Sequence, residues 1–251
     1  MLKRTALWLA VALVSLWTLP GLAAIPKSMI MTTQIISSEG GRNVTADATI
    51  YYLDMKFRTE VSSNMQGTSS VKVNNKATVI MDAKAKTGYL IDDRNRTAIK
   101  IDEAQVEQMT GSSGSAGSFT NPSEFLTDPA KVKAELQKQG GKQIGKEKIL
   151  GYNCTIWQIA QTVKIPAARG SNAAPTSDNL TVKLWLADEV SIPLKAEVTS
   201  AKRGKIASMT TKKLQVNVPV KSSMFDIPSG YKITTLADMF QTPGKTPAKR
   251  P

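Results

Sequence analysis

Apolar residues return at every second position over most of this chain, the period of strands with one face in a core and one in water. MIMTTQIISS (29–38) opens the series. NVTADATIYYLDMKFRTEVSS (43–63) follows as one ribbon, with Met55, Phe57, Thr59 and Val61 on one face and Lys56, Arg58 and Glu60 on the other. Gly67 and Asn74-Asn75 set off KATVIMDA, which carries Val79 and Met81. Thr87-Gly88 starts YLID, and the polar turn DDRNR leads to TAIKI. The pattern resumes in KQIGKEKILGYNCTIWQIAQTVKI (142–165) and again in LTVKLWLADEVSIPLKAEV (180–198). In the latter, Leu180, Val182, Leu184 and Leu186 form one row, opposed by Thr181, Lys183 and Trp185. Asp188-Glu189 then mark a turn, KRGK (202–205) marks the next, and MFDIPSGYKI (224–233) closes the domain. Short strands spaced by turn signals predict an antiparallel sheet folded by hairpins.

The middle of the chain breaks this period. DEAQVEQM (102–109) has the composition of a short helix, and GSSGSAGSFTNPS (111–123) that of a flexible connector. DPAKVKAELQKQGG predicts a second helix, with Asp128 as cap, Pro129 in the first position and Gly140 as stop. Its apolar stripe, Val132 and Leu136, is narrow, so the helix lies on the sheet and not inside it. This insert is either a lid or a plain connection. QTPGKTPAKRP, at the end, is basic and Pro-rich and reads as disordered.

Residues 1–23 read as a signal peptide. Lys3 and Arg4 precede an apolar run from Ala6 to Leu19, Pro20-Gly21 break it, and Gly21 and Ala23 supply the small residues before a cut. Cleavage is expected after Ala23, with Ala24 the alternative. No cysteine follows the run, which argues against a lipid anchor. The predicted organisation is therefore a signal peptide (1–23), one domain (24–240) and a tail (241–251). The exported, periplasmic product of a bacterial host is expected to be monomeric.

The net charge of +13 falls to +11 when Lys3 and Arg4 are lost. A positive protein in the envelope is drawn to anionic membrane, lipopolysaccharide or acidic proteins. Nucleic acid is not an expected partner, because no aromatic-basic cluster accompanies the charge. Histidine is absent, which excludes a Ser-His-Asp triad and His-ligated zinc. The single cysteine, Cys154, cannot form an intramolecular disulfide and reads as a small buried hydrophobe. Sequons begin at Asn43, Asn95, Asn153 and Asn179; in a bacterial host they are coincidental.

Carboxylate neighbours such as Asp92-Asp93, Asp102-Glu103 and Asp188-Glu189 point to opposite faces on a strand and do not share a site. Gly-Ser-Ser-Gly-Ser at 111–115 lacks the flanking strand of a nucleophile elbow. No Walker loop, calcium loop or dinucleotide fingerprint is present. No enzyme activity, cofactor or metal is expected. Function through shape is the alternative: an apolar sheet face under a helical cover either fills with side chains or leaves a cavity suited to acyl chains. The candidate lining is Met55, Phe57, Val79, Met81, Val132, Leu136, Val182, Leu184 and Leu186. Trp157 and Trp185 are candidates for a rim, where an indole packs on apolar surface and keeps its N–H in water.

GYNCTIW, LWLADEVSIPLKAEV and FDIPSGYK, together with the earlier MKFRTE and VIMDAKAKTGYLIDDRNRTAIKI, resemble a family of uncharacterised exported bacterial proteins similar in fold to LolA-like outer-membrane lipoprotein carriers and receptors. The resemblance runs from about Met29 to Tyr231. It implies a mainly β (α+β) fold, a single curved antiparallel sheet forming an unclosed half β-barrel with helices over its concave side. It also implies a lipid or lipidated protein as partner, held in the apolar space between sheet and helices. An early-strand arginine that holds the lid shut in the carriers would correspond to Arg58. The Gly/Ser insert and basic tail depart from the carrier pattern. The other reading of the same fold is a protein-interaction or envelope-sensor module without a lipid cavity.

Overall fold

The computed structural model describes residues 26–39, 42–65, 73–85, 87–102, 129–165, 176–235 and 238. The expected signal peptide, the Gly/Ser stretch, the segment predicted as a short helix beyond Asp102, the predicted cap Asp128 and the basic tail lie outside the described residues. So does most of the 168–179 loop.

Six strands come first: β1 (Ser28–Glu39), β2 (Arg42–Leu53), β3 (Lys56–Met65), β4 (Val73–Asp82), β5 (Thr87–Asp92) and β6 (Thr97–Asp102). Helix α1 (Pro129–Lys138) follows. Then come β7 (Lys142–Ile149), β8 (Tyr152–Ile165), β9 (Thr176–Ala187), β10 (Pro193–Ser200) and β11 (Gly204–Val216). A 3₁₀ turn, η1 (Ser222–Phe225), and β12 (Lys232–Thr235) come last. All twelve strands belong to one unclosed curved sheet, in the order β12-β6-β5-β4-β3-β2-β1-β11-β10-β9-β8-β7. Two meanders, β2 to β6 and β7 to β11, are thus joined side by side through β1.

Three departures from the sequence reading have clear causes. The ribbon at 43–63 is two strands, folded back at Asp54 and Met55, whose φ values of 46° and 69° give the positive signs of a type I′ hairpin turn. No Gly or Pro announces this turn. It is held by the Ala83 N–H donating to the Met55 carbonyl (3.0 Å) and by a Lys84–Asp54 ion pair at 2.9 Å. Met55 is therefore a turn residue and not a strand residue. Second, Asn74-Asn75 lie within β4 and do not break it. Third, the sheet is not wholly antiparallel: β12 pairs with β6 in parallel. The chain leaves β11 at the centre of the sheet and returns to its far edge, and that crossing brings β12 in along the direction of β6.

Period two assigns every strand residue to a face, and cross-strand register carries the assignment across the sheet. One face bears Ile35, Ala46, Ala48, Ala196, Ala207, Met209, Leu184, Trp157 and Ile159, which cluster with Val132 and Leu136 of α1. The helix thus lies against this face with its two apolar residues almost fully buried. It stops at Gly140 (φ 78°), where the sequence places the stop.

The opposite face has its own cover, further along the sheet. Residues 218–231 cross the outer side of β2 to β6. There Phe225, buried in η1, packs with Ile80, Ile91 and Ala98, and Met224, Val220, Ile227 and Tyr231 surround it. The turn after β10 is closed by polar groups. The Ser200 hydroxyl donates to buried Asp178 (2.6 Å) and accepts from the Arg203 N–H (2.9 Å), while the Arg203 guanidinium stands 3.5 Å from the same carboxylate.

Leu136→Ala is expected to cost about 2–4 kcal/mol in urea unfolding, because it opens a cavity under α1, whereas exposed Lys138→Ala stays within about 0.5 kcal/mol. A second outcome concerns acid. The Ser200 hydrogen bond, aided by Arg203 and Lys202, holds the Asp178 carboxyl below the usual carboxylate range. Because the folded pKa is lowered, its stabilisation is complete above about pH 4 and is lost as pH falls further. Asp178→Asn should therefore be less stable than the parent at neutral pH, and the two denaturation midpoints should converge as pH falls below about 4.

Candidate functional site

The face that carries α1 continues beyond the helix onto β3 to β6. Register places its residues in rows: Tyr52–Phe57–Met81–Gly88–Ile101, then Ile50–Thr59–Val79–Leu90–Ile99, then Ala48–Val61–Ala77. These rows are apolar apart from Thr59. Phe57 packs on Tyr52, ring centroids 4.9 Å apart, and Val61 packs against the α1 cluster. Val79, Met81, Leu90 and Ile101 are only half-buried and belong to none of the three hydrophobic cores of the described residues. They form an apolar strip flanked by the packed half of the same face. Gly88 sits within it, where an added Cβ would meet Met81 Cγ at 3.5 Å.

The residues expected to line a cavity are thereby divided. Val132, Leu136, Leu184 and Leu186 pack together in the helix-covered core, with Val182 half-buried on the same row. Val79 and Met81 lie on the strip, whereas Phe57, beside them on β3, packs on Tyr52 against a core cluster. Met55 is in the β2–β3 turn, where its sulfur accepts from the Tyr52 hydroxyl at 3.9 Å. Leu90 and Ile101 were not singled out from sequence. Both stand at alternate positions of recognised strands, but pairing register is what brings them beside Val79 and Met81.

Arg58 does not reach the helix. It is on the opposite face, where Nη1 donates to the Met224 carbonyl (3.1 Å) and Nε donates to Glu60 (2.7 Å). It pins the C-terminal crossing and no lid, because even positions of β3 face away from α1.

The rim assignment fails for Trp157. Its ring is 1% exposed under Val132 and Leu136, and its Nε1 has no hydrogen-bond partner among the described residues. Trp185 is on the face opposite the leucine row, as expected, but it too is buried. Its Nε1 donates to Glu147 of β7, and Lys195 Nζ lies 4.1 Å over the ring, a cation–π contact. The Trp185–Glu147 bond fastens the edge strand β7 to β9 across β8.

Near Trp185 an open polar cleft of about 500 Å³ is lined by Lys146, Glu147, Lys148, Asn153, Asp188 and Glu189. Its acids have structural partners: Thr155 donates to Asp188 (2.8 Å) and Asn153 Nδ2 donates to Glu189 (3.2 Å). Asp188 and Glu189 occupy the turn after β9, as their sequence suggests. Among the described residues no group of three or more acidic or cysteine side chains could hold a metal ion, and no helix is long and apolar enough to cross a membrane. Cys154 is fully buried, its thiol directed at the Tyr152 carbonyl (3.7 Å). Burial pushes that thiol up to about 11. Cys154 should therefore stay unreactive toward an aromatic disulfide reagent at pH 8 in the folded protein and titrate fully in urea. Rapid reaction in buffer would contradict the burial.

Neither a family model nor a curated protein matches the sequence. Solved structures similar to the chain include an uncharacterized conserved protein from Thermus thermophilus (9% identity, 84% of this chain and 91% of that one, TM-score 0.46). They also include the Pseudomonas aeruginosa MucA/MucB complex (11%, 83% and 59%, TM-score 0.43), where the chain spans under two thirds of its counterpart. A third is a putative outer membrane lipoprotein-sorting protein domain from Vibrio parahaemolyticus (14%, 79% and 89%, TM-score 0.27). With every score below 0.5, these likenesses assign no ligand, partner or activity to the chain. The twelve strands in one unclosed curved sheet, with a helix against one face, agree in their own right with the LolA-like layout that the sequence resemblance implies.

Proposed function

We propose that this protein is a non-enzymatic component of the bacterial envelope that binds a lipid, an acyl chain or a lipidated protein on the apolar strip of the sheet beside α1. The observation that carries this reading is the strip of Val79, Met81, Leu90 and Ile101: apolar, on the helix-bearing face, and outside every core of the described residues. An aliphatic chain laid along it would gain roughly 0.8 kcal/mol for each methylene removed from water. Methionine suits such a floor because its unbranched side chain adapts to a flexible guest. Half of the face is already filled by the α1 core, so the binding space is a groove beside the helix and not a cavity running the length of the sheet.

Export by the signal peptide would place the protein in the periplasm, and its positive charge would hold it near anionic head groups or lipopolysaccharide. The two features divide the work: charge brings the protein to the surface, and the strip takes the apolar part of the ligand.

The test is to purify the exported protein, extract and identify co-purifying lipid, and titrate the delipidated protein with a fluorescent fatty acid. Binding should weaken about tenfold or more in Val79→Glu and Met81→Glu, which put a carboxylate into the groove. Leu150→Glu, at an exposed site far along the sheet, should leave it unchanged. A protein that is empty on extraction and takes up no fatty acid would sink the proposal.

A further inference from the structure

We infer that the free edge of β7 is a strand-addition site for an extended acidic segment of a partner protein. The inference does not depend on the lipid reading. β7 ends the sheet order: it pairs with β8 on one side and with no described strand on the other. All residues from Lys142 to Lys148 are exposed. A strand of this length leaves a row of unpaired N–H and C=O groups, the template on which an extended peptide adds. The other edge, β12, has four residues and offers little by comparison.

Charge specifies the occupant. Lys142, Lys146 and Lys148 have no ion pair among the described residues, whereas Glu147, the one acidic residue of the strand, already accepts from Trp185. Register with Thr155 and Asn153 puts Lys146 and Lys148 on one face, at alternate positions. A second copy of β7 paired antiparallel about Glu147 would set Lys146 against Lys148 and Glu147 against itself, which disfavours that self-pairing. A strand with acidic residues at alternate positions would meet both lysines. The irregularity between Gln143 and Gly145 adds an apolar contact, since Ile144 there is 47% exposed, and Leu150 just beyond the strand is 45% exposed. A lipid head group would satisfy the charge but not the row of backbone groups, so the geometry favours a polypeptide.

The experiment uses the purified full chain and a short fluorescein-labelled peptide alternating Glu with Val and Thr, with a Lys-for-Glu peptide as counterpart. Fluorescence anisotropy should show binding of the acidic peptide only. The affinity should drop about tenfold or more in the Lys146→Glu/Lys148→Glu double variant and at raised salt. Hydrogen exchange should show new protection within 142–149 in the complex. Both substituted positions are exposed, so the double variant should melt like the parent. Four outcomes overturn the inference: no binding, equal binding of both peptides, indifference to charge reversal, or protection on another strand.

Discussion

Pairing of β1 with β11 is the constraint on which the rest of the structure depends. Each meander could form its own hairpins, but only this antiparallel contact, between residues some 180 positions apart, makes them one sheet. It is secured on both sides. Met31, Ile35 and Met209 are buried on the helix face. At the end of the pair, the Asn217 N–H donates to the Ser28 carbonyl (2.7 Å), the Lys27 N–H donates to the Asn217 side chain (2.9 Å), and the Ser28 hydroxyl donates to the Val218 carbonyl. The irregularity at Thr32/Thr33 is bridged by the Thr33 hydroxyl donating to the Thr210 carbonyl at 3.1 Å. A contact of such sequence separation forms late and at high entropic cost, so the meanders should assemble before they join.

Once joined, a twelve-strand sheet has two faces, and the other described elements are too few to cover both. The chain places α1 on one face of β8 to β11, β1 and β2. It places the C-terminal crossing on the other face of β2 to β6. The two covers are offset along the sheet, on opposite sides. Two surfaces remain outside these described covers: the far side of β8 to β11, and the helix-side surface of β4 to β6, where half-buried Val79, Met81, Leu90 and Ile101 join no core of the described residues. The strip thus follows from how these covers are distributed, and not from any unusual composition of the strands that form it.

That is why the fold was largely legible in the sequence and the site only partly so. Alternation identified the row Val182, Leu184 and Leu186 and its opposition to Trp185, and Pro129 and Gly140 bounded the helix, because these signals are local. The Asp54–Met55 turn was invisible since it uses positive φ without glycine. Trp157 and Trp185 looked alike in sequence. One is under the helix and the other under Glu147 and Lys195, a difference set by which face α1 chooses. Arg58 was legible as an outward residue but not as the anchor of a segment 166 positions later. Phe57, Val79 and Met81 were readable as apolar strand residues. That Val79 and Met81 join no core while Phe57 packs against one was not, since period two marks packed and unpacked apolar positions identically.

The sheet order also separates the strip from the basic edge. Seven strands stand between β4 and β7, each about 4.8 Å from the next along the hydrogen-bonding direction. Substitutions in two regions so far apart along the sheet should add without coupling. The β1–β11 seam, with its buried methionines, lies between them. The apolar strip toward one end of the sheet and the lysine-bearing edge at the other are therefore two separate surfaces. A strand added at β7 would leave the apolar strip uncovered.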